Sequence, residues 1–200
     1  LGIGGERIVY HRSAATLPRK RQLYLHFTDD TWLTVTVQGW GAALLLRQSE
    51  VAAHRFINLE KPSPLSDAFT LDYFTGLFAA LEKDDARSMK FFMISKPGLL
   101  GMGNGCLQDI LWQAKIHPRR RAVEVTKTEQ RKLYSVLRES LQQMIDGGGR
   151  DGDYDLYDHP GGYRRILHSK AVGQPCPCCR TPIEKASFLV GSKLAGVMTA

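Results

Sequence analysis

The chain has 200 residues, 43% of them hydrophobic, enough for one or two packed domains, and no apolar run long enough for a membrane-spanning helix. Four cysteines, three of them crowded between Cys176 and Cys179, exclude a disulfide framework and point to a reducing, cytoplasmic setting. The formal net charge of +7 is clustered in "PRKR" (18–21), "HPRRR" (117–121) and "YRRILHSK" (163–170), which points to a polyanion, with nucleic acid first; a solvated basic surface explains the same charge about as well.

The first fifty residues alternate in the β manner. "ERIVYH" predicts one short strand, and "RQLYLHF" and "WLTVTV" predict a hairpin around the polar turn Thr28 to Asp30. A further, more buried strand is expected at Ala42 to Arg47, after "QGWG". Pro62 and Pro64 mark residues 51–65 as a linker. The period then becomes helical: Ser66 or Asp67 is expected to cap a helix from Ala68 to about Glu82, with Phe69, Tyr73, Leu77, Phe78 and Leu81 on one face. "SMKFFMIS" reads as a short apolar helix stopped by Pro97 and Gly98.

"GMGNG" (101–105) is a glycine-dense turn opening the helix "CLQDILWQAK". Glycines at 101, 103 and 105 allow backbone conformations barred to other residues, and the turn delivers N–H groups at a helix start, where an anion is favoured. Asn104 adds a side-chain donor there, and Arg119 to Arg121 follow the helix, so a DNA phosphate fits; a plain helix hairpin fits the glycines too. Thr126 with Glu129 predicts a capping box for a long amphipathic helix to about Ile145, ended by Gly147 to Gly149. "DGDYDLYDHPGGY" follows as a solvated acidic loop without the glutamate of a calcium loop. Cys176 and Cys179 form a C-x-x-C pair, but Phe188 to Ala200 hold no cysteine or histidine to complete four zinc ligands.

The stretch from Gly101 to Pro118 resembles the helix–two-turns–helix element of the formamidopyrimidine-DNA glycosylase / endonuclease VIII family. There the pattern runs G-[IVLM]-G-N-x-x-x-x-[ED]-x-L-[FW]-x-x-x-[IL]-x-P. Gly101, Met102, Gly103, Asn104, Asp109, Leu111, Trp112, Ile116 and Pro118 match it in register. "LSDAFTLDYF", "SMKFFMISKPGLLG" and "PGGYRRIL…VGQPCPCCRTPIEK" are similar to further family segments in the same order, and "LGIGGERI" and "FTDDTWLTVTVQGWG" are weaker matches to its N-terminal β-sandwich.

The resemblance implies an α+β fold. It comprises a partial N-terminal antiparallel β-sandwich (1–50), the linker, a helix–two-turns–helix DNA-binding domain (66–170) and an incomplete C-terminal zinc-finger hairpin (171–200). It implies base-excision repair by a DNA glycosylase with abasic-site lyase activity on oxidised bases, acting as a monomer on damaged duplex DNA and not on a membrane. In the family a secondary N-terminal amine attacks the sugar C1′, helped by a carboxylate and a lysine. None of the three is matched here, so the chain is expected to begin after them, at a strand of the N-terminal domain, with Leu1 and Glu6 poor substitutes and no catalytic residue in the chain.

For DNA contact, the resemblance implies Asn104 with Gly103 on a phosphate, and Lys90 on a second; a surface lysine is the plainer account of Lys90. Arg119 belongs to the same basic face, and Gln38 and Trp40 fall where relatives carry a wedge into the flipped base's gap. Trp40 serves equally as a strand-end core residue, as does Ile3, placed where a second wedge is expected. Cys176 and Cys179 fall where the first two zinc ligands are expected, so the tail is predicted to be a zinc-finger vestige, metal-free or weakly loaded. The alternative is a nucleic-acid-binding module without catalysis. A third reading, a redox or metal-handling protein, centres on the cysteines.

Overall fold

The computed structural model describes residues 6–37, 46–51, 61–190 and 193–199. Ile3, Gln38, Trp40 and most of the strand expected at Ala42 to Arg47 lie outside the described residues. The chain divides into two compact units, one of residues 1–57 and 144–164, the other of residues 58–143 and 165–200. No helix among the described residues is long and apolar enough to cross a membrane.

In the first unit β1 (Glu6–His11), β2 (Leu23–His26) and β3 (Trp32–Val37) form an antiparallel sheet in the order β1-β3-β2. β2 and β3 are the expected hairpin. Phe27 N–H donates to the Thr31 carbonyl at 2.9 Å, and Asp30 takes the left-handed φ of 57° that aspartate tolerates. As the central strand, β3 buries Thr34 and Val35. His11, also buried, lies 2.9 Å from the Thr34 hydroxyl through Nε2 and 2.9 Å from that of Thr16 through Nδ1, and burial lowers its pKa. A short helix, α1 (Gln48–Val51), follows.

The acidic loop spends its carboxylates on its own backbone N–H groups and on arginines. Asp155 accepts from the N–H groups of Tyr157 (2.8 Å) and His159 (2.9 Å), and Asp153 is paired with Arg150. Tyr10 of β1 donates its N–H to the Leu156 carbonyl at 2.8 Å, and Arg7 pairs with Asp158 while its guanidinium lies 3.7 Å from the Tyr154 ring centroid.

The second unit is helical, with α2 (Leu71–Ala79), α3 (Met89–Ile94), α4 (Asn104–Ala114) and α5 (Lys127–Asp146), followed by the antiparallel hairpin β4 (Glu184–Val190) and β5 (Lys193–Thr199). Phe74, Phe78, Phe92, Met93, Ile110, Leu133 and Leu137, drawn from α2 to α5, interlock in one core. The cap of α2 is Thr70, whose hydroxyl accepts from Tyr73 N–H at 3.0 Å, rather than Ser66 or Asp67. Residues 64–69 are held in a non-helical turn by α5 instead: Arg138 donates to the Pro64 carbonyl at 2.9 Å and the Tyr134 hydroxyl to that of Phe69 at 2.9 Å. The capping box on α5 is as expected, with Thr126 N–H on the Glu129 carboxylate at 2.8 Å and Glu129 N–H on the Thr126 hydroxyl at 3.3 Å.

Candidate nucleic-acid interface

Of the three glycines in the turn, backbone conformation requires only one. Gly101 alone of the three has a positive φ (73°), which an L side chain would strain. Gly103 is extended, at φ −116° and ψ 169°, the ordinary geometry of an N-cap, and Gly105 already lies inside α4. The helix thus opens at Asn104, two residues before the expected start. No side chain caps it, so the positive end of an eleven-residue dipole is presented together with the exposed Asn104 side chain. Gln108 Nε2 donates to the Asn104 carbonyl at 3.1 Å, engaging the first turn without using the Asn104 amide.

Asn104 stands on the wall of a cavity of about 470 Å³ that also takes in Lys90, Trp112, His117 and Cys176. Lys90 is not a surface lysine. At 2% exposure it lies in α3 with its N–H on the Pro118 carbonyl at 3.1 Å, and burial pushes its ammonium pKa down. His117 accepts the Arg119 N–H through Nδ1 at 3.2 Å, which leaves Nε2 to carry the proton of the neutral ring. Desolvation, then the nearby Arg119 charge, lowers its pKa.

The three arginines that follow α4 are unlike one another. Arg120 is bound to Glu129 and donates to the Glu124 carbonyl at 2.6 Å. Arg121 donates through Nε and Nη2 to the Asp85 carbonyl at 3.1 and 2.9 Å. Arg119 is exposed, whereas Arg120 and Arg121 are partly buried and tied to protein acceptors, so the charge run contributes less to the surface than its formal count.

Asp109 is a structural position that composition and periodicity did not single out. Fully buried in the middle of α4, it accepts N–H groups from Ile166 (3.0 Å) and Leu167 (2.8 Å). Leu167 packs with Ala171, Cys176 and Ile183, so one carboxylate ties the cysteine-bearing tail to the helix that Asn104 begins. Its place in the family-like motif was the available signal.

In the tail, Cys176 is buried while Cys178 and Cys179 are exposed. The N–H of Cys179, and then that of Cys178, draw the Cys176 thiol down to about 7. Among the described residues no three histidine, cysteine or carboxylate side chains are grouped to hold a metal. The two thiols of the C-x-x-C pair do not meet the four donors of a closed structural zinc site.

Residues 61–153 match the family model described as the formamidopyrimidine-DNA glycosylase H2TH domain. The formamidopyrimidine-DNA glycosylase of Thermus thermophilus is 31% identical over 181 residues, covering 88% of this chain and 62% of the relative. That of Idiomarina loihiensis is 33% identical over 146 residues, covering 72% and 53%. The chain therefore spans 62% and 53% of the lengths of these relatives. Among solved structures, the MutM (Fpg) protein of Thermus thermophilus superposes with a TM-score of 0.76 at 26% identity, over 98% of this chain and 75% of that one. Lactococcus lactis Fpg, solved in complex with DNA containing an abasic site, superposes with a TM-score of 0.73 at 18% identity over 96% of this chain and 69% of that one, a likeness of fold.

Proposed function

Because this chain belongs to the formamidopyrimidine-DNA glycosylase / endonuclease VIII family, we propose that it serves base-excision repair of oxidised bases by gripping damaged duplex DNA at the start of α4. The observation that carries this reading is the uncapped N-terminus of α4, with Asn104 exposed on the wall of a cavity. A phosphate there meets backbone N–H groups, the positive end of the helix and an amide donor at once. Lys90 and Arg119 are the proposed secondary contacts, the first across the cavity and the second on the exposed surface beyond it.

Asn104→Ala is expected to weaken duplex binding about tenfold, the scale of one hydrogen bond to a charged group. Fluorescence anisotropy at several salt concentrations checks it, and an unchanged Kd would overturn the phosphate assignment. Steep salt dependence is expected for both proteins.

The family's activity is excision through an amine nucleophile, and no residue of this chain is matched to that amine. We infer that a polypeptide of these 200 residues binds without excising. Borohydride reduction on DNA carrying an oxidised base or abasic site is expected to trap no covalent adduct; a trapped adduct would assign the chemistry to an amine of these residues. The family's zinc finger is represented by Cys176 and Cys179, and we propose that this tail holds zinc weakly or not at all.

A further inference from the structure

The thiols of the tail have a geometry that suits another chemistry. Cys176 N–H donates to the Thr181 carbonyl at 2.8 Å and Arg180 N–H to the Cys176 carbonyl at 3.0 Å, so residues 176–181 close into a tight turn ended by Arg180 at a left-handed φ of 64°. Cys178 N–H donates to Cys176 Sγ at 3.4 Å, which places that sulfur inside the turn. Cys176 is 1% exposed, in a small apolar cluster with Leu167, Ala171 and Ile183, whereas Cys179 is open to solvent. We propose that Cys176 and Cys179 are a dithiol that closes to an intramolecular disulfide, with Cys178 left as a free thiol.

Chain geometry decides which pair forms. Adjacent Cα atoms stand about 3.8 Å apart, below the roughly 4.4 to 6.8 Å that a disulfide spans, so Cys178 and Cys179 make a poor pair. A C-x-x-C turn brings its outer thiols within range, as in dithiol oxidoreductases. Exposure decides the order of events. With a small disulfide such as glutathione disulfide as oxidant, the exposed Cys179 thiolate attacks one sulfur of the oxidant, whose S–S bond breaks and releases the first glutathione thiolate. The Cys176 thiolate then attacks Cys179 Sγ and expels the second. Two protein thiols are oxidised, one oxidant disulfide is reduced to two thiols, and the two thiol protons end on the departing glutathiones.

The test is mass spectrometry of the full chain, acid-quenched and alkylated after equilibration in glutathione buffers of increasing oxidised fraction, with a zinc chelator present. The expected product has lost two hydrogens, carries a Cys176–Cys179 cross-link and is alkylated at Cys178 and Cys106. Cys178→Ser should still form the cross-link, while Cys176→Ser should stop with a single glutathione on Cys179. Three results would overturn the proposal: a cross-link that includes Cys178, four alkylated thiols throughout the buffer series, or protection of all thiols by one equivalent of added zinc when the chelator is left out. None of these readouts involves DNA, so they are independent of the function proposed above.

Discussion

At its N-terminal end α4 starts from Gly103 without a side-chain cap and shows an exposed Asn104, whereas past its C-terminal end the run of arginines includes Arg120 and Arg121, both bound to protein. In the proposed function the formally uncharged end takes the anion, while Arg120 and Arg121 at the formally charged end are engaged within the protein. Arg120 holds the start of α5 through Glu129, and Arg121 holds the Asp85 turn. Net charge measures what a surface offers only after the cations consumed by carboxylates and carbonyls are subtracted, while a helix terminus supplies partial charge that no residue count records.

The contrast requires α4 to be held as one rigid element, and its midpoint tests that with the largest expected effect. Asp109→Ala leaves the Ile166 and Leu167 N–H groups buried without their acceptor, at a cost of about 3 kcal/mol. Urea unfolding of the full chain should show the loss as a lower midpoint. A change below about 0.5 kcal/mol, the scale of an ordinary surface substitution, would mean that the tail is held to α4 by apolar packing alone.

At the C-terminal side, Arg120→Met and Arg119→Ala should separate. The first is expected to cost about 1 kcal/mol of stability and leave DNA affinity unchanged; the second should weaken binding about threefold at low salt. A loss of affinity in Arg120→Met without one in Arg119→Ala would break the distinction between the two. The same pair sets a pH dependence. Arg120, with help from Thr126, holds Glu129 at about 2, below its ordinary 4.5, so the unfolded chain takes up the proton first. The stabilisation is therefore complete above 4.5 and is lost as pH falls from there towards about 2. In Arg120→Met the fall in stability across that window should be shallower, and an unaltered curve would show that Thr126 carries the effect.

Much of this was legible in the chain. Local rules found β1 to β3, the short α3 and the capping box of α5, because each is specified by residues within a few positions of one another. What escaped them was set by distant partners. Nothing near Ser66 reveals that Arg138, about seventy positions on, holds residues 64–69 out of the helix, and nothing near Lys90 reveals its burial against the Pro118 turn. The candidate site divides in the same way: Asn104 stood out in its motif, but the spent charges of Arg120 and Arg121 required their tertiary acceptors.

A small effect on stability is expected at Gly103, where it is also the most discriminating. A Cβ there meets no atom within 4 Å and the backbone already has N-cap geometry, so Gly103→Asp can place a carboxylate on the open N–H groups of α4. Stability should rise by about 0.5 kcal/mol, since aspartate is a better cap than glycine and its charge complements the dipole. DNA affinity should fall at least as far as in Asn104→Ala, because the carboxylate occupies the donors and repels the phosphate. Those opposite signs are hard to obtain by damaging the fold. A variant that gained stability with undiminished binding would place the phosphate elsewhere and return the arginine-bearing end of α4 to consideration.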